Sequence, residues 1–347
     1  MTKTGTNATG LDAEPISRNS TAGPAGRISY LAAGPVDGPL IVFVHGWPAI
    51  AETWRPQLEA FAARGYRVVA PDMRGYGHSA IPADPAEYAQ RHLVDDMLAL
   101  LAHLGRNTAI WVGHDWGCGA TWGLAAHHPE VCRAVVSLCI PYRSLERGPS
   151  AALPYVNRDV YPADEYPDAQ FDYMTYYERH PEQVTSLFDA APGRVARAFY
   201  RSGKPGAYGK PHLTAQLTRD GGWFGGASVV PDLLRDEDVL DETLYEALRK
   251  SFERNGFTGP TAYYLNHSAN RAYSDSSIDN GHLHMPVLFI GARYDYVADT
   301  VQSALVRPMR EYCHRLTEKA IDAGHWVGLE KPAEVNAAIV NWLAVVR

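Results

Sequence analysis

Short, wholly apolar segments alternate along the chain with longer segments of mixed pattern. Residues 40–44 are all apolar and mostly branched, and similar runs cover residues 109–112 and 287–290. An uninterrupted apolar run of this length is typical of a parallel strand that is buried on both faces. Between the first two runs, leucine and methionine recur at helical spacing over residues 87–104. The alternation therefore predicts a mostly parallel central sheet flanked by helices.

The same pattern divides the chain into parts. Further strands are predicted at residues 27–32, 66–71 and 134–138, and further helices are predicted to end near residue 63 and to cover residues 118–126 and 334–345. From residue 142 to residue 283 strand-like runs are missing, tyrosine, proline and charged residues are frequent, and helical patterns recur, as at residues 240–252. We predict a flexible N-terminal tail over residues 1–26, a core of residues 27–141 and 284–347, and an inserted helical cap over residues 142–283.

Composition narrows the class of protein. The chain has 347 residues, of which 46% are hydrophobic and 20% are charged, which is typical of a globular protein with a sizeable core. Its net charge of -7 and the lack of a lysine and arginine cluster argue against nucleic-acid binding. No apolar run approaches the about 20 residues of a membrane span, and the first residues lack the apolar stretch of a secretory signal.

The cysteines point the same way. Cys118, Cys132, Cys139 and Cys313 have neither the spacing of a zinc site nor the density of a disulfide framework. We therefore expect a cytoplasmic protein that needs no cofactor and no metal and has neither a nucleic-acid nor a membrane partner. The sequence leaves the oligomeric state open between a monomer and a homodimer.

The residues Gly113-His114-Asp115-Trp116-Gly117 lie between a predicted strand and a predicted helix. Glycines two residues before and after Asp115 allow a sharp turn without a Cβ clash, and such a turn presents its central side chain at the start of the helix. A carboxylate, with an ordinary pKa of about 3.9, is already ionised at neutral pH. It can displace an alkoxide or a halide from a saturated carbon and form an ester of itself. Asp and Gly are also common in ordinary turns, so these residues alone leave that interpretation open.

The order and spacing of several motifs resemble the epoxide hydrolases of the α/β-hydrolase fold, the soluble type, over residues 27–347. The motifs are His45-Gly46-Trp47-Pro48, residues 74–79, residues 113–117, Phe171-Asp172-Tyr173, residues 256–260 with Tyr264, and Gly324-His325-Trp326. The resemblance implies an α/β-hydrolase fold with a helical cap. It also implies that a small epoxide and water are converted to a vicinal diol through a covalent ester on Asp115.

The resemblance implies a role for each further site residue. His325, on a loop before the last helix, would activate water, and Asp295 would orient it, with Asp299 or Glu146 as alternative acids. Tyr173 and Tyr264 would hydrogen-bond the epoxide oxygen, because a tyrosine donates while it stays neutral. The oxyanion hole would use the backbone N–H groups of Trp47 and Trp116, with a cis bond before Pro48. The predicted pocket residues are His45, Pro48, Trp116 and Tyr177, although His45 also fits a role in bracing its own turn.

Two other functions remain open from the residues. A haloalkane or haloacid dehalogenase would share the Asp nucleophile, the histidine and the tryptophan after the nucleophile. A small-molecule receptor or binding protein would share the fold only. The two cap tyrosines argue against the dehalogenase, and the complete set of nucleophile, acid and base argues against the receptor.

Overall fold

The computed structural model describes residues 16–346. Within this range eight strands form one sheet. The strands are β1 (Ser17–Gly23), β2 (Gly26–Ala33), β3 (Leu40–Val44), β4 (Arg67–Pro71), β5 (Ala109–His114), β6 (Cys132–Leu138), β7 (Val287–Ala292) and β8 (Leu316–Ile321). Their order across the sheet is β1-β2-β4-β3-β5-β6-β7-β8. The pairs β1–β2 and β2–β4 are antiparallel, and all the other neighbours are parallel.

The α-helices form three groups along the chain, which lie before β6, between β6 and β7, and after β7. Those before β6 are α1 (Arg55–Ala62), α2 (Gln90–His103) and α3 (Trp116–His127). Those between β6 and β7 are α4 (Pro149–Ala152), α5 (Asp172–Arg179), α6 (Pro181–Asp189), α7 (Pro192–Phe199), α8 (Leu217–Asp220), α9 (Trp223–Gly226), α10 (Glu242–Asn255), α11 (Thr258–Ala262) and α12 (His267–Asp275). Those after β7 are α13 (Arg307–Tyr312), α14 (Val327–Glu330) and α15 (Pro332–Val345). No helix in residues 16–346 combines the length and the apolar character that a membrane span requires.

The apolar runs form the centre of the sheet. Every residue of β3, β5 and β7 is buried, because helices or the cap cover both faces of these strands. The edge strands β1 and β8 are largely exposed or half-buried. Between β6 and β7 the described chain adds no strand to the sheet, and nine α-helices occupy this stretch. The bounds of 142 and 283 proposed for the cap stay a prediction.

The prediction of a flexible tail over residues 1–26 is wrong for residues 17–23, because these residues form the edge strand β1. This strand pairs with β2 over its whole length, and backbone pairing needs no apolar run in the sequence. Arg18 anchors it, since its guanidinium donates to Asp72 Oδ2 at 2.6 Å and to Ser29 Oγ at 2.8 Å, and it also pairs with Glu52. The first residues of the predicted tail, 1–15, lie outside the described residues.

The sheet brings four chain segments to one edge. The segments that follow β3, β5, β7 and β8 carry Trp47, Asp115, Asp295 and His325, respectively. These four strands are parallel within one sheet, so their carboxyl ends lie on the same side. In open α/β sheets this edge is the usual place for a ligand.

Candidate active site

The turn between β5 and α3 has the strained backbone that its glycines predict. Asp115 has φ 52° and ψ -128°, in a region that side chains other than glycine rarely adopt. A Cβ on Gly113 would lie 2.8 Å from Cys118 Cα, and one on Gly117 would lie 2.0 Å from Val44 O. Glycine is therefore required on both sides, and the turn presents a carboxylate that is only 3% exposed.

Backbone donors hold the Asp115 carboxylate. The N–H of Trp47 donates to Asp115 Oδ1 at 2.6 Å, and the N–H of Trp116 lies close enough to lower the pKa of this carboxylate. Gly46 makes this approach possible, since a Cβ there would lie 2.4 Å from the same oxygen. The peptide bond between Trp47 and Pro48 is cis. Two N–H groups from different segments thus converge on one carboxylate, in the arrangement of an oxyanion hole.

His325 lies between two carboxylates. Its Nδ1 is 3.0 Å from Asp295 Oδ2, and its Nε2 is 3.6 Å from Asp115 Oδ2. The other oxygen of Asp295 accepts the N–H of Val297 at 2.8 Å, which fixes the orientation of this carboxylate. All three side chains are at least 95% buried. The imidazole is therefore oriented by one acid and directed at the other.

Burial and charge compete in this triad. Burial raises the pKa of Asp115 above its usual range, and His325 and the two N–H groups oppose this rise without cancelling it. Burial also acts to raise the pKa of Asp295, but the attraction and hydrogen bond of His325 outweigh it, so this pKa is lowered. Burial acts to lower the pKa of His325, and Asp295 and Asp115 together raise it. Asp295 is therefore held ionised as the partner of the imidazole.

The alternative acids lie elsewhere in the hydrogen-bond network. Asp299 Oδ1 accepts the N–H of Gln302 at 2.9 Å, so it caps its own turn. Glu146 accepts the N–H groups of Arg143 and Ser144, and burial raises its pKa to about 7. Within residues 16–346 neither carboxylate bonds to His325, which leaves Asp295 as its only acidic partner besides Asp115.

Tyr173, at the start of α5, and Tyr264, after α11, lie together above the turn. Their ring centroids are 5.7 Å apart, and both side chains line a small cavity that also contacts Asp115 and His325. Burial, and after it the charge of Asp115 among other groups, raises the pKa of each phenol well above its usual value. Both tyrosines therefore keep their protons at neutral pH and can donate hydrogen bonds into the cavity.

The residues that line this cavity differ in part from the predicted pocket residues. Pro48 lines it, as do Trp47, Phe199, Trp223, Tyr296 and Trp326. His45, Trp116 and Tyr177 do not. His45 Nε2 accepts the N–H of Met73 at 2.9 Å, so it braces its own turn, and the Tyr177 hydroxyl accepts the indole N–H of Trp223 at 2.8 Å. Trp116 packs edge-on against Tyr264, with ring centroids 5.3 Å apart, so it supports the cavity from behind.

Two residues beside the triad were missed from the sequence. His114 Nε2 donates to the carbonyl oxygen of His325 at 2.7 Å, and its ring lies 4.6 Å from the His325 ring. Burial lowers the pKa of His114 to about 3, so it stays neutral. The Cys139 thiol donates to the same carbonyl oxygen at 3.3 Å. The position of His114 next to the central Asp115 could have indicated its role from the sequence. Nothing in the sequence indicates the role of Cys139.

His114, Cys139 and His325 offer ligand atoms within 4.8 Å of one another. Their chemistry does not favour a metal. His114 Nε2 is used by a carbonyl oxygen, and both ring nitrogens of His325 are directed at carboxylates. Burial raises the pKa of the Cys139 thiol well above its usual value, and it is the thiolate that binds metals.

Comparison with known proteins shows which family the chain belongs to. Residues 39–332 match the model of a family described as alpha/beta hydrolase fold. An epoxide hydrolase of Caballeronia sordidicola is 30% identical over 311 residues, which are 89% of this chain and 88% of that protein. Bifunctional epoxide hydrolase 2 of Sus scrofa is 32% identical over 92% of this chain, which spans only 54% of the pig protein. The crystal structure of epoxide hydrolase A from Mycobacterium thermoresistibile superposes with a TM-score of 0.78 at 28% identity, over 96% of this chain and 99% of that one.

Proposed function

Since the chain belongs to the α/β-hydrolase fold family, in the branch of the epoxide hydrolases, we propose that it converts an epoxide to a vicinal diol. The substrate would be a small-molecule epoxide, and water would be the second reactant. The proposal rests above all on one observation, which is a buried carboxylate on a nucleophile turn, facing two protonated tyrosines on one side and a histidine–aspartate pair on the other.

The first half-reaction opens the ring. Asp115 Oδ1 is engaged by the N–H of Trp47, so Oδ2 is the oxygen that attacks a ring carbon. The bond between that carbon and the ring oxygen breaks, and its electron pair goes to the oxygen. An alkoxide is too basic to leave unassisted, so Tyr173 and Tyr264 hydrogen-bond this oxygen and supply its proton. The product is a hydroxyalkyl ester of Asp115.

The second half-reaction cleaves this ester. Water adds to the ester carbonyl carbon while one of its protons passes to His325 Nε2. The N–H groups of Trp47 and Trp116 hold the oxyanion of the tetrahedral intermediate. When the intermediate collapses, the alkoxide takes the proton from His325 and leaves as the diol. The second proton of the water remains on the Asp115 carboxyl group and then passes to the tyrosine that protonated the ring oxygen, so both groups return to their starting forms. Asp295 keeps the imidazole in the required tautomer and balances the imidazolium charge.

A dehalogenase is the second candidate, and one observation favours it. Within residues 16–346 the buried indole N–H groups of Trp47 and Trp116 have no hydrogen-bond partner. An indole N–H can donate a hydrogen bond to a halide ion. In such an enzyme the tryptophan next to the Asp nucleophile would have this role. The two tyrosines are unexplained in this alternative, because a halide needs no proton in order to leave.

The test follows one turnover in oxygen-18 water with excess enzyme. Given styrene oxide, the protein should release diol whose new oxygen is the unlabelled oxygen of Asp115, and the label should enter the Asp115 carboxylate. Asp115→Ala should release no diol, whereas Asp299→Ala, which removes a carboxylate outside the triad, should behave as the wild type. Solvent label in the first diol would refute the covalent ester. Halide release from a bromoalkane without turnover of epoxides would favour the dehalogenase.

A further inference from the structure

The cavity that contacts Asp115 is too small for an epoxide to enter unless one of its walls moves. Its volume is about 30 Å³, and a neighbouring cavity has about 770 Å³ on the same measure. One water molecule needs about 10 to 15 Å³ on that measure. The two cavities share Phe199, Trp223 and Tyr296 as wall residues. An epoxide that reaches Asp115 from the large cavity must displace at least one of these three side chains.

Phe199 is tied to the loop that carries the catalytic histidine. It ends α7, and its carbonyl oxygen accepts the indole N–H of Trp326 at 2.8 Å. Further along the same segment, Gly203 N–H donates to Glu330 Oε2 at 3.0 Å, and this oxygen also accepts Gly324 N–H at 2.8 Å. A shift of the segment that carries Phe199 would therefore disturb the loop of the triad.

Tyr296 is tied to the triad itself. It lies between Asp295 and Val297, and the Val297 N–H donates to Asp295 Oδ1 at 2.8 Å. The Tyr296 ring also stacks on the ring of His212, with centroids 3.6 Å apart. A movement of this segment would change the carboxylate that orients the catalytic imidazole. Trp223 is thus the shared wall residue that can move without a change in the triad.

The backbone around Trp223 is that of a hinged segment. Five of the six residues from 221 to 226 have a positive φ, and Trp223 is the exception. Four of these five are glycines, and the fifth is Phe224, whose φ of 55° and ψ of 39° are strained for a residue with a side chain. Glycines on both sides of Trp223 can absorb large changes of φ and ψ. Gly225 and Gly226 are exposed, so this part of the segment can move outwards into solvent.

A side-chain hydrogen bond holds Trp223 in the wall. Its Nε1 donates to the Tyr177 hydroxyl of α5 at 2.8 Å, and its ring packs edge-on against Phe199, with centroids 5.0 Å apart. In this position the side chain of Trp223 is 3% exposed and lines both cavities. The Tyr176 hydroxyl donates to Gly221 O at 2.8 Å, which anchors the first residue of the segment to α5.

We propose that Trp223 is a gate between the two cavities, which swings on its flanking glycines to admit a substrate and closes again through its hydrogen bond to Tyr177. The closed gate shields the reacting atoms from bulk solvent. Its opening determines which molecules pass from the large cavity to Asp115, so Trp223 is a specificity-determining residue. The inference goes beyond the proposed function, because the gate controls access to Asp115 whatever reaction follows.

The test uses a thiol placed in the small cavity. Thr214 is 2% exposed and lines the small cavity but not the large one, and the four native cysteines are buried. The rate at which Thr214→Cys reacts with methyl methanethiosulfonate, followed by mass spectrometry, therefore reports opening of the gate, and protein without this substitution gives the background. Adding Tyr177→Phe should speed the labelling by about threefold to tenfold, because it removes the hydrogen bond that closes the gate.

Gly225→Ala tests the hinge without a change in the wall of the small cavity. Apart from neighbouring backbone, no atom of residues 16–346 lies within 4 Å of a Cβ built on Gly225, whose φ is +72°. The added methyl group thus strains the closed backbone and should speed the labelling by about fivefold or more. Gly105→Ala is the matched control, because Gly105 follows α2, has φ +65° and has equally free space around its Cβ. It should leave the labelling rate unchanged.

The same variants connect the gate with turnover. The ratio of kcat/KM for trans-stilbene oxide to kcat/KM for propylene oxide should rise in Tyr177→Phe and Gly225→Ala and stay unchanged in Gly105→Ala, because the larger epoxide needs a wider opening. An unchanged ratio despite faster labelling would overturn the role of Trp223 in specificity.

Three other outcomes are decisive. Equal labelling rates with and without Tyr177→Phe and Gly225→Ala would overturn the gate. An acceleration by Gly105→Ala as large as that by Gly225→Ala would also overturn it, since a general loss of stability would then explain both. The expected labelling pattern in a protein that opens no epoxide would support the gate and overturn the proposed function.

Discussion

The pKa of His325 should fall when Asp115 loses its charge. In the free protein two carboxylates raise this pKa against the effect of burial, one 3.0 Å from Nδ1 and the other 3.6 Å from Nε2. The Asp115 ester of the proposed reaction is neutral, so it removes one of them. The imidazole would then become a competent base at the stage that requires one. Asp115→Asn imitates this loss of charge with almost no change of shape.

The distance sets the size of the effect. Two unit charges about 4 Å apart interact by about 4 kcal/mol at an effective dielectric constant of about 20. This interaction favours the protonated imidazole, so the charge of Asp115 raises the pKa of His325. The N–H groups of Trp47 and Trp116 already share the charge of Asp115, which reduces the effect. We expect the pKa of His325 to be lower in Asp115→Asn than in wild type, by less than the full interaction between the two charges would cause.

The pKa of His325 can be measured directly by nuclear magnetic resonance of protein whose histidines are labelled with nitrogen-15. The signals of His325 are identified by their loss in His325→Gln and followed against pH in wild type and Asp115→Asn. Asp299→Asn is the matched control and should leave the titration of His325 in place. Because protonated His325 cannot accept a proton, ester cleavage should slow as pH falls through the lowered pKa. An unchanged or higher pKa in Asp115→Asn would refute the reasoning.

Two further predictions concern the half-reactions. His325→Gln should still open epoxides and then stall, because Asp115 needs no base to attack whereas water does. Mass spectrometry of the intact protein should show a stable adduct of substrate mass, and a folded, substrate-binding mutant without an adduct would contradict the two steps. Replacing both Tyr173 and Tyr264 with Phe should slow single-turnover alkylation far more than either single change, each of which should cost about 100-fold. Tyr263→Phe is the control, since its hydroxyl bonds to Arg74 O, and normal alkylation by the double mutant would show that the ring oxygen is protonated elsewhere.

The centre of the fold was predictable because its residues have one dominant role. The strands β3, β5 and β7 are buried throughout, so their sequences are continuous apolar runs. The close approach of β5 to α3 requires glycine at position 113, and the approach of α3 to the end of β3 requires glycine at position 117. The strand β8 was missed. Four of its six residues are exposed, so its sequence, Leu-Thr-Glu-Lys-Ala-Ile, lacks a buried apolar face.

The walls of the site were harder to predict than its triad. The cavity is lined by Phe199, Trp223 and Tyr296, which come from three separate segments of the chain. Each of them resembles many other aromatic residues in the sequence. Tyr177 matched the expected chemistry but faces Trp223 instead of the cavity, because its hydroxyl has a partner within the cap. Side-chain direction depends on tertiary packing, which a local pattern does not contain. The cytoplasmic location and the choice between a monomer and a homodimer stay predictions.

One oxygen of Glu330, Oε2, accepts the N–H groups of two distant glycines, and this contact limits how the chain can be recombined with relatives. It joins Gly203 to Gly324, and a Cβ on either glycine would lie less than 3 Å from the backbone of the other segment. A chimera that imports a foreign cap would place a new side chain against the loop of His325, or leave Glu330 Oε2 with the Gly324 N–H alone. Cap exchange in this protein must therefore transfer residues 200–203 and 324–330 together, as one inherited unit made of two distant pieces of sequence.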